Sequence, residues 1–118
     1  MPLGETQDPA QPQHLADGVH DDFLIFYASR DDTGKLWCPD CAAVDGLLQQ
    51  KFGPGNGPSG LIVYVGQRAE WKSPSNPFRA EPWKVESIPT IIRVRDGARL
   101  VDKEIQAHSL SSFLQLQE

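Results

Sequence analysis

The sequence predicts a single α/β domain built on a mixed central sheet, and three observations lead to this fold class. Apolar runs at 23–28 and 61–65 have the composition of buried strands. An amphipathic helix pattern over 38–52 lies between them, and strand, helix and strand in this order form a right-handed parallel crossover. Further along, Asp96-Gly97 joins two shorter apolar runs and predicts an antiparallel hairpin.

Length and charge narrow the class of protein. The 118 residues are sufficient for one modest core, and the net charge of −5 argues against nucleic-acid binding, which depends on Lys and Arg. No apolar run approaches the roughly 20 residues that span a bilayer, and residues 1–10 do not resemble a secretory signal. We therefore expect a monomeric cytoplasmic protein that binds neither nucleic acid nor membrane.

Residues 1–22 are predicted to be an irregular N-terminal extension, followed by the folded domain at 23–118. The segment is rich in Pro, Gln, Asp and Gly, and Pro9, Pro12 and Gly18 interrupt any long element. A short helical turn around 13–17 is the most regular structure that we expect there.

The first part of the domain should be a buried strand, a polar loop and a helix. Residues 23–28 are apolar throughout, and 29–35 are turn-forming. The helix over 38–52 has Pro39 in its first turn, where the missing N–H is not needed. Its apolar residues recur at helical spacing and should share one buried face: Cys41, Val44, Leu47, Leu48 and Phe52.

The second part should add a strand at 61–65, a polar stretch at 66–87, the hairpin near 90–101 and a last helix. Within the polar stretch, Asn76 is expected to cap one short helix that begins at Pro77. In the last helix, Ser109 is a candidate cap. An apolar stripe should bury this helix, formed by Leu110, Phe113 and Leu114.

The only two cysteines, Cys38 and Cys41, carry the chemistry that the sequence predicts. They are spaced C-x-x-C where a strand gives way to a helix, a context typical of a thiol–disulfide site. The helix dipole and the free N–H groups of the first turn stabilise a thiolate. We expect Cys38, at the helix start, to be partly exposed and to act as the nucleophile. Cys41 should be more buried and should resolve the mixed disulfide.

Two further residues within the motif should tune this site. Pro39 stiffens the turn between the sulfurs, while Asp40 places a negative charge near them and opposes the helix dipole. Other roles for C-x-x-C are half of a zinc site, a metal cluster bridging a dimer, and a structural disulfide. Zinc requires four ligands, and the three histidines are scattered along the chain, so we expect no bound metal.

Several residues outside the motif are candidates for substrate binding. Trp37 is expected at the rim of the site, and Trp71, with Lys72 and Arg79, in a groove; Trp71 could equally anchor its loop on the core. Ile88 and Pro89 precede a strand, where proline either simply starts the strand or adopts a cis peptide bond. The residues alone favour the strand start, because only about one X–Pro bond in twenty is cis.

These features together resemble the thioredoxin superfamily. The W-C-P-D-C sequence at 37–41 and the W-K-x-P-x-N-x-F-R pattern at 71–79 are similar to a narrower group, the fourteen-kilodalton thioredoxin-related proteins, or thioredoxin-domain-containing protein seventeen class. The similarity extends over roughly 23–105. It implies a minimal thioredoxin-like fold, with Cys38 as nucleophile, Cys41 as resolving residue, Pro39 and Asp40 tuning the potential, and a cis Pro89.

The resemblance also implies an activity: reduction of small-molecule or selected protein disulfides. Electrons would come from NADPH through a thioredoxin reductase, with no cofactor bound to the chain. The alternative from another class is a binding or scaffold protein that uses the surface around Trp37 and Trp71 without turnover.

The sequence departs from the thioredoxin pattern in two places. Family members usually begin with a strand and a helix, for which 1–22 is short and proline-rich. We therefore expect these elements to be missing or reduced, the sheet to lose an edge strand, and 61–65 to be more exposed. In addition, Ile25 aligns with the buried aspartate of general thioredoxins, so either Asp40 takes over its role or the resolving step is slow.

Overall fold

A computed structural model describes residues 3–5, 22–52, 59–80, 83–94 and 96–113 of the chain. The strands are β1 (Leu3–Glu5), β2 (Phe23–Tyr27), β3 (Gly60–Tyr64), β4 (Thr90–Arg93) and β5 (Arg99–Val101). The helices are α1 (Pro39–Phe52), α2 (Arg68–Lys72) and α3 (Ala107–Phe113), with 3₁₀ turns at Pro77–Arg79 and Asp102–Glu104.

The five strands form one mixed sheet in the order β1-β3-β2-β4-β5. Strand β2 pairs in parallel with β3, with Phe23 opposite Gly60, and antiparallel with β4, with Phe23 opposite Arg93. Every residue of β2 is buried, as its uninterrupted apolar composition predicts. The α/β class, the parallel crossover through α1 and the β4–β5 hairpin are thus confirmed.

The N-terminal region differs from the prediction, because Leu3–Glu5 form a short strand. Strand β1 is therefore reduced, one of the two outcomes predicted for the N-terminal strand, and it pairs in parallel with β3. The expectation that the sheet loses this edge, and that 61–65 is more exposed, was therefore wrong. Residues Ile62 and Val63 are fully buried. Residues 6–21 of the extension, including the turn expected around 13–17, lie outside the described residues.

The helices differ from the prediction in two details. Helix α2 was not predicted; it is one turn long and is fixed by the burial of Trp71 and by Glu70, whose carboxylate accepts the Gln67 N–H at 2.7 Å. Helix α3 begins at Ala107, so Ser109 lies in its first turn rather than at the cap. The hydroxyl of Ser109 accepts the N–H of Gln106 at 3.1 Å.

The core lies on both sides of the sheet. The predicted buried face of α1 is present: Cys41, Leu48 and Phe52 are fully buried, while Val44 and Leu47 are half-buried. The ring of Phe23 packs against the rings of Phe52 and Phe113, each with a centroid distance of 5.8 Å. Among the described residues, no helix is long and apolar enough to cross a membrane.

Candidate functional site

The loop before α1 places both cysteines at the end of the central strand. Asp31 closes this loop by accepting the N–H groups of Thr33 and Lys35 at 2.9 and 3.1 Å. The Trp37 N–H then bonds the Ser29 carbonyl, and the Cys38 carbonyl accepts the N–H of Ala42 at 3.0 Å. Cys38 therefore stands at the N-terminal boundary of α1, where free N–H groups favour an anion.

The two thiols are free and differ in burial. Cys38 exposes 7 % of its surface and Cys41 none, so the predicted order of exposure is present but Cys38 is more enclosed than predicted. The Cys38 Sγ lies 4.0 Å from the carbonyl oxygen of Ile88, while the Cys41 Sγ accepts the N–H of Ala28 at 3.5 Å. One sulfur thus faces the loop before β4, and the other faces the core.

Burial is the main cause of a strongly raised pKa at Cys41. The Ala28 N–H opposes this by stabilising the thiolate, whereas the neighbouring Cys38 and the charge of Asp40 raise the pKa further. At neutral pH, Cys41 is therefore a thiol. Asp40 itself is exposed in the first turn of α1, and its proposed role in setting the redox potential stays a prediction.

The peptide bond between Ile88 and Pro89 is cis, as the resemblance implied. Both residues are buried at the start of β4. Thr90 donates its hydroxyl to the Ser87 carbonyl at 2.6 Å, and the Pro89 carbonyl accepts the N–H of Asp102 at 2.8 Å. The first bond closes the proline loop on itself, and the second joins it to the segment that follows β5.

A groove of about 490 Å³ opens beside Cys38. It brings together most of the residues that the sequence singled out: Trp37, Cys38, Pro39, Asp40, Trp71, Lys72, Arg79 and Ile88. Cys41 and Pro89 do not line it. Trp71 lines the groove and is only 4 % exposed, so it also anchors α2 on the core. The two predicted roles of this residue, groove wall and core anchor, are therefore both present.

The tryptophans of this groove are held by arginines. The guanidinium of Arg79 lies 4.1 Å from the centroid of Trp71 and its Nε donates to the Trp71 carbonyl at 2.7 Å. The guanidinium of Arg68 lies 4.9 Å from the centroid of Trp37, whose indole N–H donates to Gly66 at 2.8 Å. Stacking of this kind fixes the aromatic wall beside Cys38.

Sequence reasoning missed several residues at or near the site. Arg68, Glu86, Ser87 and Asp102 also line the groove. Arg68 precedes Lys72 by four residues and would have shared its face had α2 been predicted. Glu86 and Asp102 carried no sequence signal, because only the folding of separate loops places them beside Cys38.

The core side of the site holds a second missed feature, a pair formed by Tyr27 and Asp45. The Tyr27 hydroxyl donates to the Asp45 carboxylate at 3.2 Å, and burial strongly raises the pKa of Tyr27. Ile25 is fully buried in the same strand. Among the described residues, no group of three or more His, Cys, Asp or Glu side chains is placed to hold a metal ion.

A C-x-x-C pair at the start of the first long helix, beside a cis-proline loop of a mixed sheet, defines the chain as a thioredoxin-like protein. The model of the family described as "Thioredoxin domain-containing protein 17-like, thioredoxin domain" matches residues 7–116. The chain belongs to this family. Its membership, together with Cys38 and Cys41, supports a redox-type role.

Curated relatives agree with this assignment. The chain is 32% identical over 112 residues to "Thioredoxin domain-containing protein 17" of Mus musculus, covering 93% of this chain and 87% of the relative. The protein of the same name from Epinephelus coioides is 33% identical over 87 residues, 71% of this chain and 68% of the relative. "Thioredoxin-like protein Clot" of Oryza sativa subsp. japonica is 34% identical over 91 residues, 69% and 66% of the two chains.

Proposed function

We propose that the protein is a dithiol–disulfide oxidoreductase that reduces small-molecule or selected protein disulfides through Cys38 and Cys41. One observation carries this function: the Cys38 sulfur sits at a helix N-terminus inside an open groove, with a second thiol on the next turn of helix behind it. A thiolate there is stabilised by the free N–H groups of the helix and is within reach of a substrate in the groove.

The reaction takes place in two exchange steps. The Cys38 thiolate forms a bond with one sulfur of the substrate, the substrate S–S bond breaks, and the departing thiolate takes up a proton. Cys41 then loses its proton and attacks the Cys38 sulfur. The mixed disulfide breaks and the second substrate thiolate leaves and is protonated. The substrate gains two electrons and two protons, and the two cysteines become a disulfide.

The chain needs an external reductant to return to the dithiol. We assign this role to a thioredoxin reductase that passes electrons from NADPH, so that no organic cofactor need bind to the chain itself. A reducing compartment, the cytoplasm, would keep both thiols available for the next turnover. The basis of this assignment is the resemblance of the W-C-P-D-C sequence at 37–41 to the thioredoxin-related proteins.

Matched serine variants of the two cysteines test the function. In an assay that couples disulfide reduction to NADPH consumption, Cys38→Ser should abolish turnover. Cys41→Ser should abolish turnover as well but should retain substrates as mixed disulfides on Cys38, which mass spectrometry detects. Repeating the reaction with prereduced protein and no reductase separates the exchange chemistry from the recharging step.

Two results would overturn the proposal. If NADPH consumption survives in Cys38→Ser, that residue is not the nucleophile. If prereduced wild-type protein reduces no disulfide, the dithiol has no reductase activity. The protein would then be the alternative, a binding or scaffold protein that uses the surface of Trp37 and Trp71.

A further inference from the structure

The resolving step of the proposed reaction requires an acceptor for one proton. Cys41 is a buried thiol, and it must lose its proton before its sulfur can attack the mixed disulfide. At that moment the substrate still occupies the groove, because it is bound to Cys38. Cys41 has no exposed surface and does not line the groove, so its proton has no direct contact with water there. A base on the core side of α1 would supply the acceptor.

One carboxylate lies on that side of the helix. Asp45 follows Cys41 by four residues in α1, so the two side chains share one face, with Cβ atoms about 6 Å apart. Asp45 is half-buried, whereas Ala42 and Ala43 between them are exposed on the opposite face. A carboxylate at this separation can accept a proton from the sulfur through one water.

Tyr27 holds this carboxylate in place. Its ring is fully buried at the end of β2, and its hydroxyl donates to the Asp45 Oδ1 at 3.2 Å. The next residue, Ala28, donates its N–H to the Cys41 Sγ at 3.5 Å. Burial is the main cause of the raised pKa of Tyr27, and the charges of Asp45 and Cys41 both add to it. The Tyr27 hydroxyl is therefore bonded to the carboxylate and within electrostatic range of the sulfur.

The carboxylate also has its own access to water. Asp45 and Ala42 line a second cavity of about 280 Å³ together with the loop before α1, and a polar cavity of this size admits water. Arg30 and Lys35 line it as well, and Tyr64 accepts the Arg30 Nε–H at 3.3 Å from the side of β3. Among the described residues, none lines both this cavity and the groove. A proton on Asp45 can therefore leave while a substrate fills the groove.

The other acids near Cys38 are less suitably placed for this step. Asp40, Glu86 and Asp102 all line the groove, which is the surface that the substrate covers. Asp40 is the acid that the sequence suggested for this role, and its side chain is exposed in the first turn of α1. A proton passed to any of these three carboxylates would have to leave through the occupied groove.

We propose that Asp45 is the general base of the resolving step and receives the Cys41 proton through one water of the second cavity. This inference rests on the proposed function, in which Cys41 attacks the Cys38 sulfur. As the proton passes to Asp45, the Cys41 sulfur forms a bond with the Cys38 sulfur. The mixed disulfide breaks, and the substrate thiolate leaves with the bonding electron pair. Asp45 then returns the proton to water in the second cavity.

A disulfide with two coloured leaving groups separates the two exchange steps. Prereduced protein, in excess, reacts with dithiobis(nitrobenzoate), which releases one thionitrobenzoate when Cys38 attacks and the other when Cys41 resolves. A second phase whose rate constant does not depend on protein concentration belongs to Cys41 of the same molecule. The variant Asp45→Asn keeps the oxygen that accepts the Tyr27 hydroxyl but removes the base. The matched control Asp32→Asn makes the same change at an exposed residue that lines neither cavity.

In Asp45→Asn, the second release should be about a hundredfold slower than in wild type, the lower end of what general-base catalysis contributes. The first release should stay within about twofold, because a Cys38 thiolate attacks without a base. Asp32→Asn should leave both phases unchanged, and Asp45→Glu, which restores a carboxylate, should recover most of the lost rate. In Asp45→Ala, formate should accelerate the second release in proportion to its concentration, whereas chloride at the same ionic strength should not.

The outcomes separate this inference from the proposed function. If Asp45→Asn keeps or accelerates the second phase, the inference is wrong and the oxidoreductase function stands. A second phase slowed by Asp40→Asn instead would place the base in the groove and would also overturn it. So would a loss in Asp45→Asn that neither Asp45→Glu nor formate repairs, because that loss would be structural. If wild type never releases the second thionitrobenzoate, Cys41 does not resolve, and the proposed function fails together with the inference.

Discussion

The stability of the reduced protein should fall as the pH rises above about 8.5, and Cys41 should be the group responsible. Burial raises the pKa of Cys41 above its ordinary value. The folded protein therefore keeps the thiol proton at a pH at which the unfolded chain has released it. Because the unfolded state then binds fewer protons, the free energy of unfolding decreases as the pH rises. The stabilising contribution of the Cys41 proton is fully present below the pKa of Cys41 in the unfolded chain and is lost progressively above it.

The size of the effect follows from one proton. Each pH unit above the unfolded value lowers the free energy of unfolding by about 1.4 kcal/mol, so the loss reaches about 2 kcal/mol by pH 10. Tyr27 also has a pKa raised by burial and adds a slope of the same sign. Its contribution begins only above its ordinary value of about 10, so the range from about 8.5 to 10 isolates Cys41.

Urea unfolding of two variants measures this contribution. Cys38→Ser retains only the Cys41 thiol, while the double variant Cys38→Ser with Cys41→Ser retains none, and neither can form the internal disulfide. All other titrating groups are common to both, so they cancel in the difference between the two stability curves. We expect this difference to shrink by about 2 kcal/mol between pH 7 and pH 10. A flat difference would mean that Cys41 ionises as readily in the folded protein as in the unfolded chain, which refutes the burial argument.

Two further predictions concern stability, and urea unfolding measures both. Asn76→Ala should lower the free energy of unfolding by about 3 kcal/mol, since the side chain donates to two carbonyls and accepts the Phe78 N–H, each bond contributing about 1 kcal/mol. Asn76→Asp should lower the free energy of unfolding by at least as much. The aspartate keeps the oxygen that accepts the Phe78 N–H, but its second oxygen replaces the amide nitrogen and faces both carbonyls. A loss below about 1 kcal/mol would mean that only the cap contributes to stability. Gly60→Ala should cost about 1–3 kcal/mol, because the new Cβ would lie 2.8 Å from the Phe52 ring. Gly46→Ala, with open space around it, should stabilise α1 by about 1 kcal/mol, and a change of the same sign in both variants would contradict this packing argument.

Most of the fold could be predicted because each main element has one consistent pattern of apolar residues or a recognisable turn sequence. The buried run at 23–28, the helical face from Cys41 to Phe52 and the Asp96-Gly97 turn each indicate one structure. The elements that were missed or misplaced are short. Strand β1 has three residues and exists through its pairing with β3, a contact between distant parts of the chain that local pattern does not encode.

The residues of the candidate site likewise differ in whether a local sequence pattern identifies them. The cysteines and the residues within their motif could be found because C-x-x-C at a helix start is a local pattern. The residues that line the groove from other segments could not be assigned so readily. Glu86 and Asp102 are ordinary acidic residues in sequence, and the positive φ of Asp102 depends on how the chain after β5 turns back to the Pro89 carbonyl.

The groups around Cys41 also indicate how the two steps of the proposed reaction are connected. Burial, Asp40 and Cys38 favour the thiol of Cys41, whereas the Ala28 N–H favours the thiolate. Once Cys38 is bound in a mixed disulfide, it has neither a negative charge nor a thiolate hydrogen bond to offer. Both of its effects that raise the pKa of Cys41 would then disappear, whereas the backbone N–H of Ala28, 3.5 Å from the sulfur in the dithiol, does not depend on Cys38. In the proposed reaction, capture of a substrate would therefore make Cys41 more acidic at the step in which it must become the attacking thiolate.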